Sequence, residues 1–191
     1  MADSTITKKA IAESLKKIMK EKRFDKISVA EICEDCGLTR KSFYYHFKDI
    51  YEFVKAFLED EITNELKEKI KRNQFNDAFI VFVEYCEGHM ELMKNILTHP
   101  ETLEILTKLL HDDIRLEVVD ILKNYASLLN LKLPEKFFTF FSHNIMEEYM
   151  VVPKEMIFDE VEGKLLKKVF YLYVDAIPDK LLQVSKLDCD N

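Results

Sequence analysis

Thr39 to Val54 read TRKSFYYHFKDIYEFV. Thr39 and Asp49 each stand where a side-chain oxygen can accept from the free amides of a new helix. Between these caps, Arg40 to about Phe47 leaves room for only two helical turns. Phe43 and Phe47 are four residues apart and share one face, with Leu38 just ahead of them. Arg40, Lys41 and Ser42 occupy the first turn, and Tyr44, Tyr45 and His46 add three rings with hydrogen-bonding tips. The pattern is a short helix, propped from behind by apolar rings and polar on its free side.

Upstream, Ser28-Val29-Ala30-Glu31 has serine at an N-cap and glutamate three positions on, the signature of a capping box. The helix it opens can run only to Cys36, because Gly37 is the natural left-handed C-cap residue. Before it, Thr7 to Lys22 carries Ala10, Ile11, Leu15, Ile18 and Met19 at helical spacing, and Phe24 and Ile27 continue the core through a connector. Downstream, Asp49 opens a long helix to about Arg72, with Val54, Phe57, Leu58, Ile62, Leu66 and Ile70 on one stripe. Further helices are expected from Phe75 to Cys86 and from Met90 to Leu97, with Gly88 weakening the chain between them. Pro100 starts a helix to about Leu129. Pro134 starts another to about Val152, where Pro153 breaks it, and a last one covers Asp159 to Ala176 before Pro178. The tail from Ser185 is polar.

Composition supports the all-α class. The 191 residues include only three glycines, four prolines and no tryptophan. Sandwiches and barrels consume turn residues every 8–12 positions or so. Three isolated glycines also leave no room for a Gly-rich phosphate loop. No apolar run approaches the ~18–20 residues of a membrane helix, and the first residues do not read as a signal peptide. A cytoplasmic protein with no membrane partner is expected. Cys33 and Cys36 form a C-x-x-C without a second pair at finger spacing, and read as small packing residues. No metal, cofactor or catalytic residue is expected.

The formal net charge of −7 argues at first against a nucleic-acid partner. Residues 1–50 hold 11 Lys/Arg against 8 Asp/Glu, a balance of +3, and the remainder carries −10. The polar short helix therefore sits in a basic segment, and a glycine turn joining two short helices behind an amphipathic first one is a helix-turn-helix. Rings with polar tips suit phosphates and thymine methyls.

Ile27 to Val54, above all the Tyr-Tyr-His-Phe-Lys run, resembles the N-terminal domain of the TetR/AcrR family of bacterial transcriptional regulators. The resemblance implies a three-helix DNA-binding domain over residues 1–50 and a helical regulatory and dimerisation domain over 51–191. It implies a homodimer reading a palindromic double-stranded operator under the control of a small-molecule effector. Carried over position by position, Thr39 is the capping phosphate contact. Arg40 and Lys41 enter the major groove, with Ser42 beside them. Tyr44, Tyr45 and His46 meet backbone and thymines, and Lys48 a phosphate at the start of the fourth helix. The compact C-terminal layout is similar to the branch of the family containing the dihydroxyacetone-kinase operon activator.

Two further sets follow from patterning. Phe137, Phe141, Ile145 and Tyr149 on the Pro134 helix, with Leu165, Val169, Phe170 and Tyr173 on the last helix, make apolar faces wider than one partner needs, and a dimer interface is expected there. Phe79, Phe82, Cys86 and Met93, with Tyr85, His89 and His143 as polar handles, could line an apolar effector pocket. A competing enzyme reading draws on His111-Asp112, which is similar to the adjacent His-Asp of helical metal-dependent phosphohydrolases. Adjacent residues on a helix diverge by about 100°, so the pair alone builds no metal site.

Overall fold

A computed structural model describes residues 2–72 and 74–184. The fold is all-α, as the composition requires, and no strand occurs among the described residues. Helices α1 (Ala2–Ile18), α2 (Val29–Asp35), α3 (Arg40–His46) and α4 (Ile50–Leu58) lead into a π-helical segment, Glu59–Thr63, and then α5 (Asn64–Lys71). They are followed by α6 (Phe75–Gly88), α7 (Met90–Thr98), α8 (Pro100–Lys108), a second π-helical segment at Leu109–Ile114, and α9 (Arg115–Leu128). The last three are α10 (Glu135–Phe158), α11 (Gly163–Asp175) and α12 (Ile177–Val184).

Packing divides the chain into two compact units. The first comprises residues 1–61 and 89–106, the second residues 62–88 and 107–191.

In the first unit, α2 and α3 are bounded by the local signals read from sequence. Ser28 Oγ accepts from the Glu31 amide at 3.2 Å. The Glu31 carboxylate goes to Lys22 Nζ, at 2.7 Å. At the other end of α2, Gly37 has φ +67°. Leu38 N–H donates to the Cys33 carbonyl at 2.8 Å and Gly37 N–H to that of Glu34 at 3.3 Å. This is the Schellman arrangement, and it requires a residue that tolerates the left-handed region. Thr39 and Asp49 then cap α3 and α4 through their side chains. Behind these helices, Ser14 Oγ donates to the Ile32 carbonyl at 3.1 Å and pins α1 to α2.

In the second unit, α6 packs against α5, α10 and α11, and α9 against α5 and α10. Gly163 permits a close approach of α11 to α6. A Cβ there would fall 2.8 Å from Val83 Cγ1 and closer still to the Glu87 carboxylate. With that space free, Phe170 of α11 stacks on Phe79 of α6 at 3.6 Å between ring centroids. Lys167 reaches Glu84 and Glu87, each at 3.3 Å.

Two expectations about proline need correction. Helix α10 does not stop at Pro153 but continues to Phe158. An interior proline forfeits a backbone hydrogen bond at a cost of about 3 kcal/mol. Here Val152, Pro153 and Met156 are all buried, and apolar burial worth roughly 1.5–3 kcal/mol per large side chain offsets that cost. Pro178 likewise does not end the helical region. It lies in the first turn of α12, where its missing N–H has no helical partner to lose.

Gly37→Ala isolates the cost of the left-handed backbone, because an added Cβ there meets nothing within 4 Å. Urea unfolding of this variant should show a loss of about 1–2 kcal/mol. Gly37→Asn should lose less, and equal stability of all three chains would contradict the Schellman assignment.

Candidate nucleic-acid interface

Helix α3 has seven residues, too few to persist on its own propensity. It is held from behind. Phe43 is fully buried, with Phe47 and Phe53 nearly so. Phe43 lies 5.5 Å from Phe47 and 5.8 Å from Phe53, centroid to centroid, and Phe47 lies 5.1 Å from Phe53. The tilted and edge-on ring geometries are those aromatic pairs favour. Lys8 of α1 stands over the outer side of this cluster, 5.6 Å from the Phe47 centroid.

The opposite side of α3 is free. Thr39 Oγ1 accepts from the Ser42 amide at 3.1 Å and also meets Ser42 Oγ at 2.9 Å. Arg40, Lys41 and Lys48 are exposed, and Ser42 and His46 half-buried. Tyr44 is 55% and Tyr45 85% exposed, unusual for large rings in a well-packed unit. Tyr45 lies edge-on to His46 at 5.0 Å. The eight residues expected to meet DNA thus run along α3 and its two flanks, with two guanidinium or ammonium groups at the helix N-terminus and a third beyond its C-terminus.

A feature not read from the sequence lies behind this head. Asn95 of α7 donates through Nδ2 to the Met19 carbonyl at 2.8 Å and the Lys22 carbonyl at 3.3 Å. Its Oδ1 accepts from the Phe24 amide at 3.0 Å. One amide side chain therefore satisfies the backbone groups left open where α1 ends. His99 continues the contact, edge-on to Phe24 at 4.8 Å and stacked near Tyr51 at 6.3 Å. The available signal was an asparagine inside an apolar helix, a poor helix former that calls for a side-chain partner.

The residues expected to line an effector pocket are not gathered in one unit. Phe79, Phe82 and Cys86 are buried in the second unit, where Tyr149 packs against Phe79 at 5.3 Å and Phe82 at 5.5 Å. Tyr85 is half-buried and His143 exposed in that unit, whereas Met93 is buried in the first unit and His89 half-buried at its edge. Burial pushes the Cys86 thiol up to about 12, and it raises Cys33 and Cys36 as well. Thiols so raised are poor nucleophiles, which fits their reading as packing residues.

The expected dimer face also divides. Ile145, Tyr149 and Phe170 are buried within the second unit. The apolar faces were wide because one side of each helix is core. Phe137 and Phe141 are half-buried and stacked on each other at 5.6 Å, and Leu165 and Val169 are exposed. Leu172 and Phe140, on the same two helices, are 75% and 69% exposed. The side chain of Tyr173 lies outside the described residues.

Among the described residues of the second unit, the Tyr149 hydroxyl and Asn76 Oδ1 are buried without a hydrogen-bond partner. Burial raises the Tyr149 pKa far above the usual phenol range. Elsewhere in the unit His111 and His143 both approach Glu147, at 3.3 and 3.6 Å, while Asp112, the proposed partner of His111 in catalysis, is exposed. Burial lowers the pKa of His111, against an opposing contribution from Glu147.

Residues 11–57 match the family model described as bacterial regulatory proteins, tetR family. Residues 11–57 thus carry the N-terminal domain of the tetR family. It is 21% identical over 104 residues to the HTH-type dhaKLM operon transcriptional activator DhaS of Lactococcus lactis subsp. lactis. That match takes in 54% of this chain and 56% of the relative, so the chain spans little more than half of the curated relative it matches. Among solved structures, the dihydroxyacetone kinase operon activator DhaS aligns at TM-score 0.66 and 14% identity, covering 93% of this chain and 97% of that one. The TetR family repressor AlkX from Dietzia sp. aligns at 0.52 and 12%, covering 94% and 97%. NalD, the secondary repressor of the MexAB-OprM efflux pump in Pseudomonas aeruginosa, aligns at 0.51 and 16%, covering 96% and 95%. At these identities the structures establish a shared fold. The phosphohydrolase reading finds no support among these relatives. No helix among the described residues is long and apolar enough to cross a membrane.

The orphaned hydroxyl has a direct consequence for stability. Tyr149→Phe removes a buried polar atom that makes no hydrogen bond, so denaturant unfolding should show unchanged stability or a gain of up to about 1 kcal/mol. A loss above 1 kcal/mol would reveal a partner for that hydroxyl.

Proposed function

We propose that the chain is a cytoplasmic transcriptional regulator that binds a palindromic DNA operator as a homodimer and releases or engages it in response to a small-molecule effector. The observation that carries this reading is the free side of α3. Arg40 and Lys41 project from its N-terminal turn, Tyr44 and Tyr45 are exposed, and Phe43 is wholly buried behind them. A short helix anchored on its back and polar on its front can enter a major groove without losing its own support. In this assignment Arg40 and Lys41 read base edges with Ser42 beside them. Thr39, Tyr44, Tyr45, His46 and Lys48 fix register on phosphates and thymine methyls.

The dimer reading is supported by Leu165, Val169 and Leu172, an exposed stripe at i, i+4 and i+7 of α11. Such a stripe is the pattern of a helix with a second apolar partner. Two copies related by a two-fold would bury it isologously. The effector reading is supported by the unpartnered Tyr149 hydroxyl, which a ligand's polar group would satisfy. The relatives include both an activator and repressors, so the sense of regulation is left to the promoter.

Fluorescence anisotropy on an operator selected from random duplexes tests the DNA reading. Tyr44→Ala and Lys48→Ala should weaken binding to all sequences, and loss of Lys48 should lower the salt slope by about one. Arg40→Ala or Lys41→Ala should in addition relax sequence preference, by about 1–3 kcal/mol per lost base contact. Unchanged affinity in all four variants would remove α3 from the interface. In sedimentation experiments, Val169→Asp and Leu172→Asp should yield folded monomers. A monomeric parent chain at micromolar concentration would sink the dimer.

A further inference from the structure

His111, His143 and Glu147 lie outside the helix-turn-helix, and of the three only His143 figures in the regulator reading, as an expected polar handle of the effector pocket. His111 belongs to the π-helical segment Leu109–Ile114. Single π turns within α-helices are often found at functional sites. His143 and Glu147 are four residues apart on α10, so their side chains sit one above the other on one face. The Nε2 atoms of His111 and His143 approach the same Glu147 oxygen, Oε1, at 3.3 and 3.6 Å. One ligand-type atom from each residue lies within 4.8 Å of the other two. In a tetrahedral site with bonds of about 2.0–2.1 Å, ligand atoms stand roughly 3.4 Å apart. Two edges of that tetrahedron are therefore already close to length. Rotation of the exposed His143 ring can close the third.

We propose that His111, His143 and Glu147 bind one divalent transition-metal ion of the zinc type, through two imidazole nitrogens and one carboxylate oxygen. Two imidazoles with one carboxylate suit zinc, nickel or copper and offer too few oxygens for calcium or magnesium. His143 also lines a groove of about 400 Å³, together with Arg115, Glu135, Lys136, Thr139 and Phe140. Water or a ligand's donor atom can reach the ion from there. Arg115 is the cation that faces His111, and its Nε donates to the His111 carbonyl oxygen at 3.0 Å. Glu147 and Asp112 set their negative charges against it. Without an ion, the two imidazoles are simply close neighbours of one carboxylate oxygen. The two states differ in whether the chain takes up metal stoichiometrically.

The site can be tested on the untagged full-length chain, stripped with a chelator and titrated with Co²⁺ as a visible probe. The expected result is one Co²⁺ per chain, d–d absorption of a four- or five-coordinate ion, displacement by Zn²⁺ and indifference to excess Mg²⁺. His143→Ala and Glu147→Gln alter exposed side chains, so both should keep the parent's circular dichroism. Each should weaken uptake about tenfold or more, at least what loss of an outer-sphere partner costs a metal site. Three outcomes overturn the proposal: no saturable uptake, uptake unchanged in both variants, or a near-ultraviolet thiolate charge-transfer band that assigns the metal to cysteines such as Cys33 and Cys36. None depends on DNA binding, so the site stands or falls apart from the regulator reading.

Discussion

The constraint on which the first unit depends is that a seven-residue helix cannot hold its own shape. Isolated helices below about 12–15 residues are marginal in water, so α3 takes its conformation from Phe43, Phe47 and Phe53. Each ring contributes roughly 1.5–3 kcal/mol by burial, and Phe43 with Phe53 adds the preference of an edge-on pair. Phe53 belongs to α4. The placement of Arg40 and Lys41 is thus fixed by a side chain on the next helix, and any displacement of α4 moves the support of α3 directly. Asn95 extends the same dependence to α7. A single side chain closes three backbone groups around the end of α1, and its loss would leave carbonyls and an amide to find water.

The chain passes between the two units three times, and the passages fall at or near irregular backbone. The first falls between Glu61 and Ile62, inside the π-helical segment Glu59–Thr63. The second falls between Gly88 and His89, where His89 leaves helical geometry with φ −133° and ψ 40°. The third, between Leu106 and Thr107, precedes the π-helical segment Leu109–Ile114. Wider π hydrogen bonding and a glycine joint are weaker than continuous α-helix. In the proposed ligand-responsive regulator, these irregular turns are where the backbone of one unit continues into the other. Coupling requires two arrangements of comparable energy, and irregular turns supply them more readily than a regular helix.

What could be read in advance follows from the range of the signals. Ser28, Gly37, Thr39 and Asp49 act on backbone groups no more than a few residues away. Composition and spacing were therefore enough to bound α2, α3 and the start of α4. Pro153 was misread because its local cost is real and only tertiary burial of Val152 and Met156 outweighs it. The burial of Ile145, Tyr149 and Phe170 within one chain was hidden for a related reason. Periodicity gives the width of an apolar face but not the identity of what covers it. The grouping of His111 with His143 and Glu147 had only one local trace, the four-residue spacing of His143 and Glu147, because His111 reaches them through packing.

Helix α11 shows how far the width argument can be carried once its inner face is known. Phe170 points inward and lies parallel to Phe79, within 3°, and Gly163 sets the approach that makes the stack possible. That accounts for one side of the helix. Leu165, Val169 and Leu172 lie on another, each more than half exposed, and a stripe spaced i, i+4, i+7 spans two turns without a charged residue among its members. Scattered exposed leucines need no explanation, but an aligned stripe leaves a continuous apolar strip in water at about 25 cal/mol per Å². Lys167, which could have shielded part of the helix, is drawn away to Glu84 and Glu87. The inner face is therefore packed within one chain, and the outer face, which the proposed dimer would cover, stays exposed in it.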